Sequence, residues 1–232
     1  MSPEIFGSAI VLVGNFNPAI FSPDWLENNG LIGNGDAEEA RQSPSFIISR
    51  QVSVFETDWF ALQVLENQLS LTSKGALSAA FKDLAVGILS LLSHTPIAAI
   101  GLNFLAHYRL ASEADYHKVG DILAPKAIWS NLYPVENSAA GLVNLSIMIQ
   151  PCTRTQARTQ APGDVRNISV QPSDKFKYGV FLNYNDHRII NNIERNDQTM
   201  AEHAASIIDA DWQNAWDDAL RVFALIVTRA LA

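Results

Sequence analysis

Apolar residues recur along this chain with two different spacings, and the spacings predict strands and helices in a definite order. Alternation of apolar with other residues predicts strands at residues 10–17, 46–56, 58–65, 69–72, 97–110, 143–150, 167–170 and 178–184. Apolar positions three and four residues apart predict two long amphipathic helices, at residues 75–93 and from about residue 200 onward. The second helix would be about 45 Å long at 1.5 Å per residue, long enough to cross the backs of both halves of a sheet.

Local signals add two short helices and a loop. Ser22-Pro23-Asp24 supplies a helix cap, a proline for the first helical position and an acid for the first turn. Ser112 supplies a second cap, with Gly120 predicted to end that helix. Residues 33–45 are acidic and rich in turn formers, which predicts an exposed loop. The cap of the last helix is expected at Asn196 or Asp197.

The beginnings of the two halves resemble each other. Residues 10–32 and 97–123 both run from an apolar stretch into a glycine, an Asn-Phe pair (Asn15-Phe16 and Asn103-Phe104) and a capping serine. Each half then continues with further strands and a long helix. We therefore predict an α+β fold made of two β-α-β(3–4)-α pseudo-repeats, residues 1–96 and 97–232, packed as one globular unit. Because tight turns join successive strands, the sheet should be antiparallel with the long helices on one face.

This order of elements resembles the β-α-β(3–4)-α unit of TATA-binding-protein-like and helix-grip domains, here in tandem. The resemblance covers nearly the whole chain, but it rests on element order and carries over no catalytic residues. It implies a curved antiparallel sheet gripping long helices. The chain departs from the DNA-binding members because the predicted open face of its sheet lacks basic residues.

Composition limits the classes of partner. The formal net charge is −8, so the chain lacks the long-range attraction that draws proteins to nucleic acids. Nucleic-acid binding is confined to one candidate, a loop at residues 153–166 that carries Arg154, Arg158 and Arg166. The single cysteine, Cys152, excludes an internal disulfide and indicates a reducing compartment. Neither a signal peptide nor a membrane span is predicted, so we expect a cytoplasmic protein.

The strongest candidate site is the sheet face that the helices leave uncovered. Alternation places neutral side chains there, most of which form hydrogen bonds, and Ser169 and Met148 are among them. The candidate partner-binding residues are Asn15, Asn103, His107, Asn144, Ser146, Gln150, Asn167 and Asn183. Asn15 and Asn103 are expected to be neighbours near the centre of this face. An ordinary solvated face is the alternative, although such a face usually carries more lysine and glutamate.

The remaining candidates have weaker signals. Asp186 beside His187 could suggest an acid and a base, but neighbouring residues of a strand point to opposite sides, and we interpret residues 183–188 as a turn. The five histidines show no metal-binding spacing, and no cofactor or catalytic motif is present. Cys152 is interpreted as an incidental thiol. Trp212 and Trp216 are expected to pack in the core.

Three classes of function remain open. We favour a non-enzymatic interaction or assembly protein that binds a protein partner, or a second copy of itself, through the open sheet face or the long C-terminal helix. The alternatives are a small-molecule binder with a cavity between helix and sheet, and a hydrolase that uses His107, His187 or an acidic cluster.

Overall fold

The computed structural model describes residues 2–75, 78–129, 140–150, 164–190 and 198–232. It confirms the α+β class. One antiparallel sheet of nine strands is present: β1 (Ile5–Gly14), β2 (Ile47–Ile48), β3 (Val52–Glu56), β4 (Phe60–Leu65), β5 (Gln68–Ser73), β6 (Ile97–Arg109), β7 (Leu145–Ile149), β8 (Val165–Pro172) and β9 (Gly179–Ile189). The helices are α1 (Pro23–Asn28), α2 (Asn34–Gln42), α3 (Ala79–Leu91), α4 (Glu113–Leu123) and α5 (Met200–Leu231), with 3-10 turns at Pro18–Ile20 and Lys126–Ile128.

Read outward from the centre, the strands follow the same rule in both directions, although one side has five strands and the other four. The sheet runs β2-β3-β4-β5-β1-β6-β9-β8-β7, so the first strands of the two halves, β1 and β6, lie side by side. Each is followed outward by the last strand of its own half, β5 or β9. The β1–β6 ladder therefore joins the two halves through backbone hydrogen bonds.

One apolar core lies between the sheet and the helices. Phe104 in the middle of β6 is fully buried, with ring centroids 5.0 Å from Trp212 and 5.6 Å from Trp216 of α5. Trp212 also packs on Phe81 of α3, at 5.6 Å between centroids. Helix α5 thereby ties both halves together, and the predicted core role of the two tryptophans is confirmed.

Several predicted local boundaries are wrong, and packing explains the largest error. The expected loop at residues 33–45 contains α2, because Ala37 and Ala40 are fully buried. The backbone N–H of Gly33 donates to Asp36 at the start of α2 (3.1 Å). Near its end, Arg41 pairs with Asp24 of α1 at 2.5 Å. A sequence reading of charge and turn formers misses such a helix, because two alanines provide its apolar stripe.

The other helix and strand limits differ by smaller amounts. Helix α4 continues through Gly120 to Leu123, since buried Val119 and the core contact of Leu123 hold its last turns. Helix α5 is capped by Thr199, whose side chain accepts from the backbone of Glu202 while Glu202 accepts in return. The strand expected at residues 46–56 is divided into β2 and β3 by a turn around Ser49. Among the described residues, no helix combines the length and the apolar character needed to cross a bilayer.

Candidate functional site

One face of the sheet has no helix on it within the described residues. Alternation along each strand sends one set of side chains to the helices, such as Ile10, Leu102 and Leu182, all fully buried. Their neighbours in sequence point the other way and form what we call the open face. On β6, β9, β8 and β7 most of its side chains are polar: Asn103, His107, Arg109, Asn183, Asn185, His187, Asn167, Ser169, Gln171 and Ser146. The apolar ones are Ala99, Leu105, Phe181, Ile189, Val165 and Met148.

The structure places most of the candidate residues on this face. Asn103, His107, Asn167, Asn183 and Ser146 all belong to it. Asn144 and Gln150 lie just outside the two ends of β7, both exposed. The Asn144 side-chain oxygen accepts a hydrogen bond from Gln171 (3.1 Å).

Asn15 is the exception, and its expected position is wrong. Strand β1 ends at Gly14, where the register of the β1–β6 ladder shifts. The backbone N–H of Asn15 instead donates to the carbonyl of Pro96, just before β6 begins (3.0 Å). Asn103 lies opposite Ala9 in the middle of the ladder. Asn15 is therefore at the end of the sheet, some six residues away along the strands, and not beside Asn103.

Three asparagines form a row across the part of the open face that β6, β9, β8 and β7 provide. Asn103, Asn185 and Asn167 are direct neighbours on β6, β9 and β8. The Asn185 amide donates to the Asn103 side-chain oxygen at 2.5 Å, and the Asn103 amide donates to the carbonyl of Gly101 at 3.2 Å. A Cβ added at Gly101 would lie 3.2 and 3.3 Å from the two amide nitrogens. Glycine at this position leaves room for the pair.

The prediction of a turn at residues 183–188 is wrong, and it is the reason that Asn185 is not among the predicted site residues. Strand β9 runs without a break from Gly179 to Ile189, paired with β6 on one side and β8 on the other. The strand has a signal in the sequence, the alternation of Val180, Leu182 and Tyr184. Asp186 continues this alternation, and its side chain points to the helix side of the sheet. As expected for a strand, Asp186 and His187 point to opposite faces.

His107 lies in a covered corner of the open face. It is only 6% exposed, and its ring packs on Phe181 with 4.7 Å between centroids. Its Nδ1 lies 2.9 Å from the Ser173 hydroxyl, which also accepts from the backbone N–H groups of Lys175 and Phe176. The hydroxyl proton is thus left for Nδ1, which makes this nitrogen the acceptor. Burial lowers the pKa of His107, and nearby Asp174 offsets this in part.

The two histidines of the hydrolase hypothesis are far apart. His187 of β9 lies opposite Gly101 of β6. Gly101 is six residues from His107 along β6. At about 3.3 Å per residue they are separated by about 20 Å, too far to act on one bond. Among the described residues, no group of three or more His, Cys, Asp or Glu side chains is arranged to hold a metal ion.

Among the residues that the structure describes, charge on the open face occurs only near the ends of its strands. Glu56 pairs with Lys74 at 3.5 Å. Arg109 pairs with Glu4 at 3.0 Å and covers the ring of Phe176 at 4.1 Å. The intervening surface presents amides, hydroxyls and aliphatic groups, which can form hydrogen bonds without the large cost of desolvating a charge.

The charged side chains of β8 and β9 lie on the helix side instead. Asp186 is 3% exposed and accepts from Arg188 at 2.8 Å, while Arg188 also pairs with Asp211 of α5. Burial alone would lower the pKa of Arg188, but the two carboxylates outweigh burial and raise it. Arg166 belongs to this cluster, 4.0 Å from Asp186 and 3.9 Å from Asp218.

This placement corrects the nucleic-acid candidate. Arg166 lies in strand β8 and faces carboxylates, so it is not part of a basic loop. Arg154 and Arg158 lie outside the described residues, as does Cys152. No family model and no curated protein matches this sequence.

Proposed function

We propose that this protein is a non-enzymatic interaction or assembly module that binds a protein partner through the open face, centred on the row Asn103, Asn185 and Asn167. The single observation that supports this proposal is a sheet face that, in the part of the chain the structure describes, has no helix on it and almost no charge. Solvated faces usually carry charged side chains, whereas the centre of a protein interface is depleted of them.

The size of the open face fits this role. Nine strands about 4.8 Å apart span about 40 Å, and six residues along a strand span about 20 Å. The resulting area of about 800 Å² is what one partner contributes to a standard protein–protein interface. Amides both donate and accept, so the row can pair with a partner's backbone or with a second copy of the same row.

Site-specific photo-crosslinking tests the proposal. A benzophenone amino acid at Ser169 on the open face is compared with one at Gln213, an exposed position of α5. In native lysate and with purified protein, we expect a discrete adduct from the Ser169 position alone. The adduct should disappear when Asn183 is replaced by lysine. Equal labelling at both positions, or none at Ser169, would refute the proposal.

We further infer that the two halves, residues 1–96 and 97–232, are duplicates of one TATA-binding-protein-like or helix-grip unit. The outward strand order from β1 and from β6 supports this inference. Because one core is shared, neither half should fold alone. Co-expressed halves should reassemble, with the circular dichroism spectrum of the intact chain. Independent folding of residues 1–96 would contradict the inference of one globular unit.

A small-molecule binder is the second candidate, and one cleft favours it. A cavity of about 310 Å³ lies between α4 and the ends of β8 and β9, lined by Tyr116, Val119, Leu142 and Val180 with His117 and Gln171 at its polar side. This volume is at the lower end for ligand pockets. A ligand there should raise the melting temperature by mass action, and Ala140→Trp, at an exposed position of the lining, should abolish the shift.

We place the protein in a reducing compartment such as the cytoplasm, on the basis of its single cysteine.

A further inference from the structure

An apolar groove lies on the helix side of the sheet, at the β7 end. Strand β7 and its neighbour β8 form the floor, and the C-terminal half of α5 forms one wall. The groove has a volume of about 310 Å³. Its main apolar side chains are Leu145, Ile147 and Ile149 from β7 and Val222, Leu225 and Ile226 from α5. Ile147 is 48% exposed, Ile149 46% and Leu225 37%, so apolar surface remains in contact with water.

The opposite end of the sheet shows how such a surface is covered elsewhere in this protein. There β3 packs against α2 and the 3-10 turn Pro18–Ile20. The Ser53 hydroxyl of β3 donates to the carbonyl of Pro18 (2.8 Å), and Phe55 is fully buried. Over β7, by contrast, no described helix packs in this way. Among the described residues, the helical layer therefore leaves room for one more helix beside α5.

One charged side chain borders the groove. Of the described residues that line it, Arg229 in the last turn of α5 is the only charged one. Within the described part of the chain no carboxylate pairs with it, whereas Arg166, Arg188 and Arg221 all have acidic partners. A cation at the edge of an apolar groove is complementary to a segment that carries both an apolar stripe and a carboxylate.

We propose that this groove binds an amphipathic helix of a partner protein, with its apolar stripe on β7 and α5 and an acidic side chain paired with Arg229. The five residues of β7 span about 17 Å, the length of about eleven helical residues at 1.5 Å each. Three turns of helix would place apolar residues at i, i+3 or i+4, and i+7 in the groove. The site lies on the other side of the sheet from the open face and does not depend on that proposal.

A displayed library of random 16-residue peptides tests the groove directly. Selection is made on the full-length protein, with counter-selection on Leu225→Asp, which changes an exposed side chain. We expect enriched peptides to have apolar residues with helical spacing and at least one aspartate or glutamate. Enrichment of alternating, strand-like sequences, or of no peptide that depends on Leu225, would overturn the proposal.

A double-mutant cycle then tests the ion pair. A synthetic selected peptide should bind Leu225→Asp at least tenfold more weakly than the unchanged protein. Arg229→Gln should weaken binding about fivefold. Replacing the peptide's acid by its amide should weaken binding by the same factor. When both changes are combined, no further loss of affinity is expected. The matched control is Arg50→Gln, an arginine in the β2–β3 turn, which should leave affinity unchanged.

Two further results would count against the proposal. Independent losses from Arg229→Gln and from the amide peptide would show that the two groups do not pair. Sedimentation measures the mass of the protein in solution. A dimer that becomes a monomer in Leu225→Asp would show that a second copy of the chain occupies the groove instead. Near-ultraviolet circular dichroism of each variant confirms that the fold is retained.

Discussion

Replacing Asp186 by asparagine should destabilise the protein through the charges that it leaves behind. Asp186 is 3% exposed and holds Arg188 at 2.8 Å, with Arg166 at 4.0 Å. Asparagine has nearly the same shape but no charge, so the arginines lose their buried counter-ion. Removing one member of a buried pair costs about 3–5 kcal/mol. The Arg188 side chain is 20% exposed and keeps Asp211 as a partner, so we expect a smaller loss of about 2 kcal/mol.

Equilibrium unfolding in urea, followed by tryptophan fluorescence, measures this loss. Trp212 is 3% exposed and reports on the same side of the sheet. The control is Asp217→Asn on the outer face of α5, which should stay within about 0.5 kcal/mol of the unchanged protein. In the double variant Asp186→Asn with Arg188→Met, part of the loss should be recovered because no uncompensated charge remains at Arg188. A cost for Asp186→Asn no larger than that of Asp217→Asn would refute this reasoning.

Three further predictions concern the core, a helix cap and a buried histidine. Phe104→Ala removes a fully buried ring between Trp212 and Trp216 and should cost about 3–5 kcal/mol in the same assay; a cost under about 1 kcal/mol would contradict this packing. Thr199→Ala removes the cap of α5 and should cost about 1 kcal/mol, with Thr199→Ser nearly neutral. The folded-state pKa of His107 lies below its unfolded value of about 6.5, so its contribution to stability is complete above pH 6.5 and is lost as pH falls toward the folded pKa. His107→Gln should flatten unfolding free energies measured between pH 7 and pH 5, and an unchanged slope would rule out this titration.

Regular spacing of apolar residues determined most of the elements. The stripe of α5 from Met200 to Ile226 and the alternation in β6 are strong signals because many buried positions repeat them. The sequence likewise predicted that Asn103, Asn167 and Asn183 face away from the helices, since side-chain direction in a strand follows from the position of its buried neighbours. These predictions need no knowledge of which strands are partners.

Elements held by few apolar residues depended on tertiary contacts. Helix α2 has only Ala37 and Ala40 to bury, and its charged residues resemble those of a loop until Arg41 is seen beside Asp24. Asp186 resembles a turn residue until β9 is seen with Arg188 and Arg166 around the carboxylate. In both cases the polar side chain is stabilised by a partner on another element that is distant in sequence, Asp24 for Arg41 and Arg166 for Asp186, and local propensity does not encode such a contact.

The candidate site shows the same division. Local alternation determined which side of the sheet each asparagine occupies, but only the strand register brought Asn185 beside Asn103 and separated Asn15 from it. Register depends on pairing between β6 and β9, which are about 80 residues apart, and on the shift where β1 ends. The groove beside α5 is also a tertiary feature, because it arises where the described helices stop before the sheet does.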